Sequence, residues 1–195
     1  NRWSRHDQDF AVRITADDLH GLLKRGLIID PGTNALLVDK GVVVGTVPPG
    51  EYTIDSLGGR IKNWFSGKIP ESITALLVEI TQTEFEFNLG GIFTSDPLRI
   101  GASIRLQVQV EQPGKFLINM LKGRERIAKE DLRKYLYPEV VQAAERWIRQ
   151  HSMQDLADDF KLKDKFGLLL DETLKNTFGQ LGLAFLNIRV LDLNF

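Results

Sequence analysis

The sequence predicts an α+β domain: a mostly antiparallel sheet, then helices, then a final strand. Three observations predict it. β-branched and alternating runs dominate from residue 27 to residue 110. The hydrophobic period then lengthens to that of helices up to residue 182. The chain closes on one more alternating run, "LAFLNIRVLDLNF". On this reading residues 1–26 are an N-terminal arm and short helix. Residues 27–195 form the domain itself, strand-rich over 27–110, helix-rich over 111–182, with a terminal strand over 183–195.

The opening "NRWSRHDQDF" is polar, carries two aromatics and shows no period, so it reads as an arm. "TADDLHGLLKRG" reads as a short helix. Thr15 caps it, Asp17 and Asp18 favour its positive end, Lys24 and Arg25 its negative end, and Gly26 stops it. "NALLVD" and "GVVVGTV" are strands joined by a tight hairpin at Asp39 to Gly41. Pro48 has no N–H for a ladder, so the second strand must end near Val47. Pro49 and Gly50 suit the central positions of a type II turn, before the strand resumes at "EYTI".

"DSLGGRIKNWFSGKIPES" reads as a loop, followed by the apolar strand "ITALLVEITQ". In "TEFEFNLGGIF", Phe85, Phe87 and Leu89 alternate with Glu84, Glu86 and Asn88, which gives one buried face. The glycine pair inside that run reads as a bulge. "TSDP" is a turn. Ile104, Leu106, Val108 and Val110 then alternate with Arg105, Gln107 and Gln109.

Helical periods follow. "QPGKFLINMLKG" is a short helix closed by Gly123, and "KGRERIAKEDLRK" reads as a charged helical stretch. "AKEDLRKYLYPEVVQAAERWIRQ" is longer, and Pro138 either kinks it or opens a second helix. Ser152 and Asp155 have the spacing of a capping box. Phe166, Leu169, Leu170, Leu174, Phe178 and Leu181 form an apolar stripe that ends at Gly182, a natural C-cap.

Composition bounds the function. The 195 residues are 43% hydrophobic, enough for a packed core. A net charge of −1 argues against a nucleic-acid partner, which calls for a basic excess. With no cysteine there is no disulfide, thiolate metal site or cysteine nucleophile. No apolar run approaches the roughly 20 residues that span a bilayer, and no signal peptide is visible. Because the first residue is Asn1, the chain is expected to be a fragment or a processed product.

No catalytic, cofactor-binding or metal-binding residue is assigned. His6, His20 and His151 are far apart, without a spaced partner. The neighbouring carboxylates Asp17–Asp18 and Asp158–Asp159 do not share a helix face. Nucleophile-elbow and phosphate-loop motifs are absent. Two features read as interaction sites. Trp64 and Phe65, flanked by Lys62 and Lys68 among glycines, suit a bilayer interface or a partner groove, or else fold back as a lid on the sheet. The mixed charges of "KGRERIAKEDLRK" suit either solvent or a subunit contact.

Three stretches carry a family resemblance: "NALLVDKGVVVGTVPPGEYTI", "FTSDPLRIGASIRLQVQV" and the helix-to-strand unit from His151 to Leu193. In their order they resemble the SPFH domain, also called the band 7 or prohibitin-homology domain, of stomatin, prohibitin and flotillin. The "PGEYT" corner is most similar to that of the bacterial virion-core-like SPFH branch. Unlike stomatin, the chain has no hydrophobic hairpin before its first strands.

The resemblance implies a non-enzymatic scaffold that forms homo-oligomers at a membrane surface. Such a scaffold organises membrane patches or membrane-protein partners such as proteases. Its last strand turns a rim toward the next subunit, and a long helix after Phe195 strengthens assembly, so this chain alone is expected to associate weakly. The full-length protein is expected to be cytoplasmic and membrane-associated. The alternatives are a cytosolic adaptor or regulatory binding module, or an enzyme whose site is dispersed in sequence.

Overall fold

The computed structural model describes residues 2–15, 17–18, 27–53, 56–57, 72–159 and 161–194. The chain divides into two compact units. The first holds Asn1–Thr81 with Val110–Glu130, the second Gln82–Gln109 with Asp131–Phe195. Together they make the expected α+β fold, with mostly antiparallel strands first, helices next and a strand last.

The first unit contains two sheets. One has the order β1-β3-β6, from β1 (Arg2–Trp3), β3 (Leu27–Ile29) and β6 (Gly50–Tyr52). The other has the order β10-β2-β7-β4-β5. It comprises β2 (Asp9–Ile14), β4 (Thr33–Asp39), β5 (Val42–Val47), β7 (Ile73–Glu79) and β10 (Arg126–Ala128). All pairings are antiparallel except that of β1 with β3. Strand β7 is central and covered on both faces. Leu76 and Leu77 are both fully buried, which is why its sequence is apolar without alternation. One face of this sheet places Ala35, Leu37, Ala75 and Leu77 in a core with Trp3, Leu27, Ile29 and Val47.

The β4–β5 connection is the tight hairpin the sequence predicts. Asp39 pairs with Val42, and the two loop residues Lys40 and Gly41 have φ of 47° and 84°, the twist that a two-residue hairpin requires. The corner at Pro48–Gly50 is different. It does not fold β6 back on β5: β5 pairs with β4, whereas β6 pairs with β3 in the other sheet. The prolines thus end one ladder and hand the chain to another sheet. Gly50 has φ 149°, in the region that favours glycine but away from the φ of about +80° of the expected type II turn, and the Tyr52 hydroxyl donates to the Pro48 carbonyl at 2.8 Å.

The described residues 2–15 are not the arm that the sequence suggests. They supply β1 and β2, and β2 lies inside the five-stranded sheet between β10 and β7. Trp3, Phe10 and Ala11 are buried there, so burial across strands decides what local polarity hides. At the expected helix start the Thr15 hydroxyl donates to the Asp18 carboxylate at 2.8 Å, which is not the accepting role of a helix cap. The remainder of that predicted helix lies outside the described residues.

The first unit also contains α1 (Pro113–Lys115), which runs on as a π-helical stretch over Phe116–Leu121. Lys122, at φ 48°, and Gly123, at φ 83°, close it. The "KGRERIA" segment after it is a turn and strand β10 rather than helix, because Arg126–Ala128 complete the ladder on β2.

The second unit pairs β8 (Thr83–Phe93) with β9 (Arg99–Val110), and β11 (Leu183–Asn194) borders β9 on its other side. Phe85, Phe87, Ile104, Leu106 and Val108 are buried, while Glu84 and Glu86 lie outside and pair with Arg105. The register slips between Leu89 and Ile92, with Gly91 at φ 71°, so the glycine pair is a bulge. Three helices follow: α2 (Lys129–Ile148), which begins at the end of the first unit, α3 (Met153–Asp158) and α4 (Lys161–Phe178). Helix α2 runs continuously through Pro138. Trp147 stacks on Phe166 with ring centroids 4.7 Å apart, which fastens α2 to α4.

Candidate interaction surface

Helix α4 buries Leu162, Phe166, Leu170, Leu174 and Phe178 at four-residue steps. A stripe this narrow leaves the opposite side of the helix free. Leu168 lies there and is 71% exposed. Gly167 faces β11: a Cβ at that position would stand 3.7 Å from the Ile188 carbonyl oxygen, an ordinary contact distance.

Strand β11 changes phase midway. Leu183 and Phe185 are buried, and Asn187 then takes φ 49°, a conformation that asparagine tolerates better than most residues. Its side-chain amide donates to Gln107 at 2.7 Å. Past it, Ile188 and Val190 are half-buried and Leu191 is exposed. Between α4 and β11 lies an open groove of about 800 Å³, with Gly167, Leu168, Ile188 and Val190 among its lining residues. Its margins carry both signs of charge. Lys175 pairs with Asp171 at 2.6 Å and Lys163 with Asp192 at 3.6 Å. An apolar floor inside a mixed-charge rim matches a protein-contact surface in its anatomy. Among the described residues β11 has a strand neighbour on one side only, so it is an edge that a further strand can extend.

The second unit also contains a polar knot where the β8–β9 turn meets α3. The Ser152 hydroxyl accepts from the Asp155 amide at 3.1 Å, and the Asp155 carboxylate accepts from the Ser152 amide at 3.2 Å, a complete capping box. Asp96 accepts from the Thr94 hydroxyl at 2.6 Å and from the Met153 amide at 3.1 Å. The Thr94 hydrogen bond holds the Asp96 carboxyl below its usual value, and the Ser152 hydroxyl does the same for Asp155. Both shifts favour the carboxylate in a structural cap. They do not poise an acid or base for proton transfer near neutrality.

The histidines are separate. His6 lies in the turn before β2, its amide 3.3 Å from the Asp9 carboxylate. His151 lies after α2, with Nδ1 2.9 Å from the Trp147 carbonyl oxygen and its ring against Trp147. Among the described residues no three His, Cys, Asp or Glu side chains converge as a metal site. Lys62, Trp64, Phe65, Lys68 and His20 lie outside the described residues. Sequence reasoning did not find the groove. Its one signal was Leu168, a leucine out of phase with the buried stripe, in "FGLLLDETL".

A family model described as SPFH domain / Band 7 family matches residues 27–195. No curated protein matches the chain.

Proposed function

Since the chain belongs to the SPFH domain / Band 7 family, we propose that it is a non-enzymatic scaffold that assembles side by side with further copies of itself at a membrane surface. Such an assembly organises a patch of membrane or holds membrane-protein partners such as proteases. The observation that carries the self-assembly is the α4–β11 groove, where exposed Leu168 and Leu191 accompany a strand edge that has no neighbour among the described residues. Soluble proteins seldom leave such edges uncovered, because they invite pairing. Within the family, the "PGEYT" corner supports a place in the bacterial virion-core-like branch.

Trp64 and Phe65, with Lys62 and Lys68, are proposed as a second contact, toward membrane or partner, on the strength of their sequence alone. None of the helices formed by described residues is long and apolar enough to cross a membrane.

The cysteine-free sequence makes the assembly testable. Leu168→Cys and Arg189→Cys are introduced together into the full-length protein, with any cysteine outside these 195 residues changed to serine, and it is then treated with a short bis-maleimide. A ladder of multimers is expected. Monomer alone, at concentrations where a control protein of known oligomeric state is captured, overturns the assembly.

A further inference from the structure

In the first unit, a cleft of about 350 Å³ opens where the β4–β5 hairpin loop meets α1 and the π-helical stretch. Arg13 and Lys40 line it, with Ser72, Thr74, Gly114 and Ile118. Arg13 comes from β2, between Val12 and Ile14, which pack on the opposite face against the core. Lys40 is the first residue of the hairpin loop, held at φ 47°.

These two cations differ from several others in their unit. Arg2 pairs with Asp30, while Arg5 and Lys129 share Glu79. Among the described residues, neither Arg13 nor Lys40 has a carboxylate partner. The Arg13 Nε is buried and makes no hydrogen bond. Arg5 and Arg105 also have an unbonded Nε, but each guanidinium pairs with a carboxylate, whereas Arg13 meets none among the described residues, which leaves its charge open to an anion from outside them. Asp39 is the nearest acid along the hairpin, and its carboxylate accepts from the Ser72 hydroxyl at 2.5 Å. A guanidinium, an ammonium and a threonine hydroxyl in one cleft match a phosphate group: the planar fork binds two oxygens and the ammonium balances charge.

The surroundings indicate which phosphate. Ile118 is 67% exposed and Val42 64%, and Val43 beside it is also exposed. Ile118 lies against the hairpin tip, since a Cβ on Gly41 would stand 3.9 Å from its Cδ1. Lys115 and Lys122, near Ile118 in sequence, are exposed as well. Apolar side chains next to a cationic pocket fit a phosphate that carries hydrocarbon, with the residues lodged at the headgroup boundary. We infer that the Arg13–Lys40 cleft binds the headgroup phosphate of an anionic phospholipid, while Ile118 and Val42 enter the acyl boundary beside it. This rests on the membrane-surface part of the function proposed above, and on none of its self-assembly part.

The test is sedimentation of the chain with phosphatidylcholine vesicles, with and without phosphatidylglycerol, alongside titration with inorganic phosphate followed at the Lys40 and Gly41 amides by NMR. Wild type is expected to bind only the anionic vesicles. Lys40→Gln and Arg13→Gln should each weaken that binding roughly fivefold or more, the worth of one cation near a charged bilayer. Ile118→Ser should weaken it without changing the phosphate titration. Lys40 is exposed on a turn, so Lys40→Gln keeps the test valid if Arg13→Gln does not fold by circular dichroism. Unchanged vesicle binding in Lys40→Gln overturns the cleft. Phosphate binding without vesicle binding overturns the lipid assignment, and no binding of either overturns the site. Multimers in the bis-maleimide experiment that persist through any of these results leave the scaffold standing.

Discussion

Gly114 presses its Cα on the backbone of Gly41: a Cβ at position 114 would lie 1.9 Å from the Gly41 carbonyl oxygen and 2.7 Å from its carbonyl carbon. The obstacle is backbone, which no rotamer change relieves. The start of α1 and the tip of the β4–β5 hairpin are thus joined at a point where only glycine fits.

Gly114→Ala is therefore expected to cost about 2 kcal/mol or more, at the severe end of overpacking. Gly41→Ala acts differently. It meets no close backbone atom and suffers mainly from φ 84°, so about 1 kcal/mol is expected. Urea unfolding of both variants checks the order. Equal costs would show that the close approach is relieved by a small shift of α1.

Gly50→Val places a branched side chain at φ 149°, with a Cβ 3.3 Å from the Tyr52 hydroxyl. A loss of about 1–3 kcal/mol is expected. Tyr52→Phe removes the hydroxyl that bonds the Pro48 carbonyl at 2.8 Å, and about 1 kcal/mol is expected. A Gly50→Val melting temperature equal to that of wild type would remove the special role of this corner.

Acid should loosen the junction between the β8–β9 turn and α3. Asp96 and Asp155 titrate below the ordinary 3.8 because Thr94 and Ser152 hydrogen-bond their carboxylates. A lowered folded-state value means that the ionised form is favoured by folding. The stabilisation is complete above the unfolded value and disappears as pH falls through the folded one. The Asp155 and Met153 amides are expected to lose hydrogen-exchange protection below about pH 4. Ser152→Ala should cost about 1 kcal/mol at neutral pH and reduce that acid sensitivity. Identical pH profiles for wild type and variant would contradict the assignment.

Leu168→Asp with Leu191→Asp changes two exposed side chains, so folding should shift by less than about 0.5 kcal/mol for each. Assembly of the full-length protein should weaken, as read by sedimentation velocity. Intact assembly in the double variant would move the subunit contact away from the α4–β11 groove.

Trp64→Ser with Phe65→Ser is expected to leave the melting temperature nearly unchanged and to reduce binding to membranes or partner. Truncating buried aromatics costs roughly 3–5 kcal/mol, so a large thermal destabilisation would assign these rings to the core.

What the sequence determined by itself was local. The Lys40–Gly41 loop, the glycine bulge in β8, the capping box at Ser152 and the Gly182 cap at φ 78° each depend on a few adjacent residues whose backbone preferences suffice. The alternation of Phe85 and Phe87 with their glutamates fixed one buried face in the same way. Tertiary structure decided what depends on partners distant along the chain. Strand β2 joins the sheet because β7 and β10 flank it, although most of "NRWSRHDQDF" is polar. The Pro48–Gly50 corner changes sheets because β3, some twenty residues earlier, offers β6 its ladder. The groove beside Leu168 and the cleft beside Arg13 exist only once strand and helix are assembled. An unmatched leucine or arginine looks the same in sequence whether packing covers it or leaves it open.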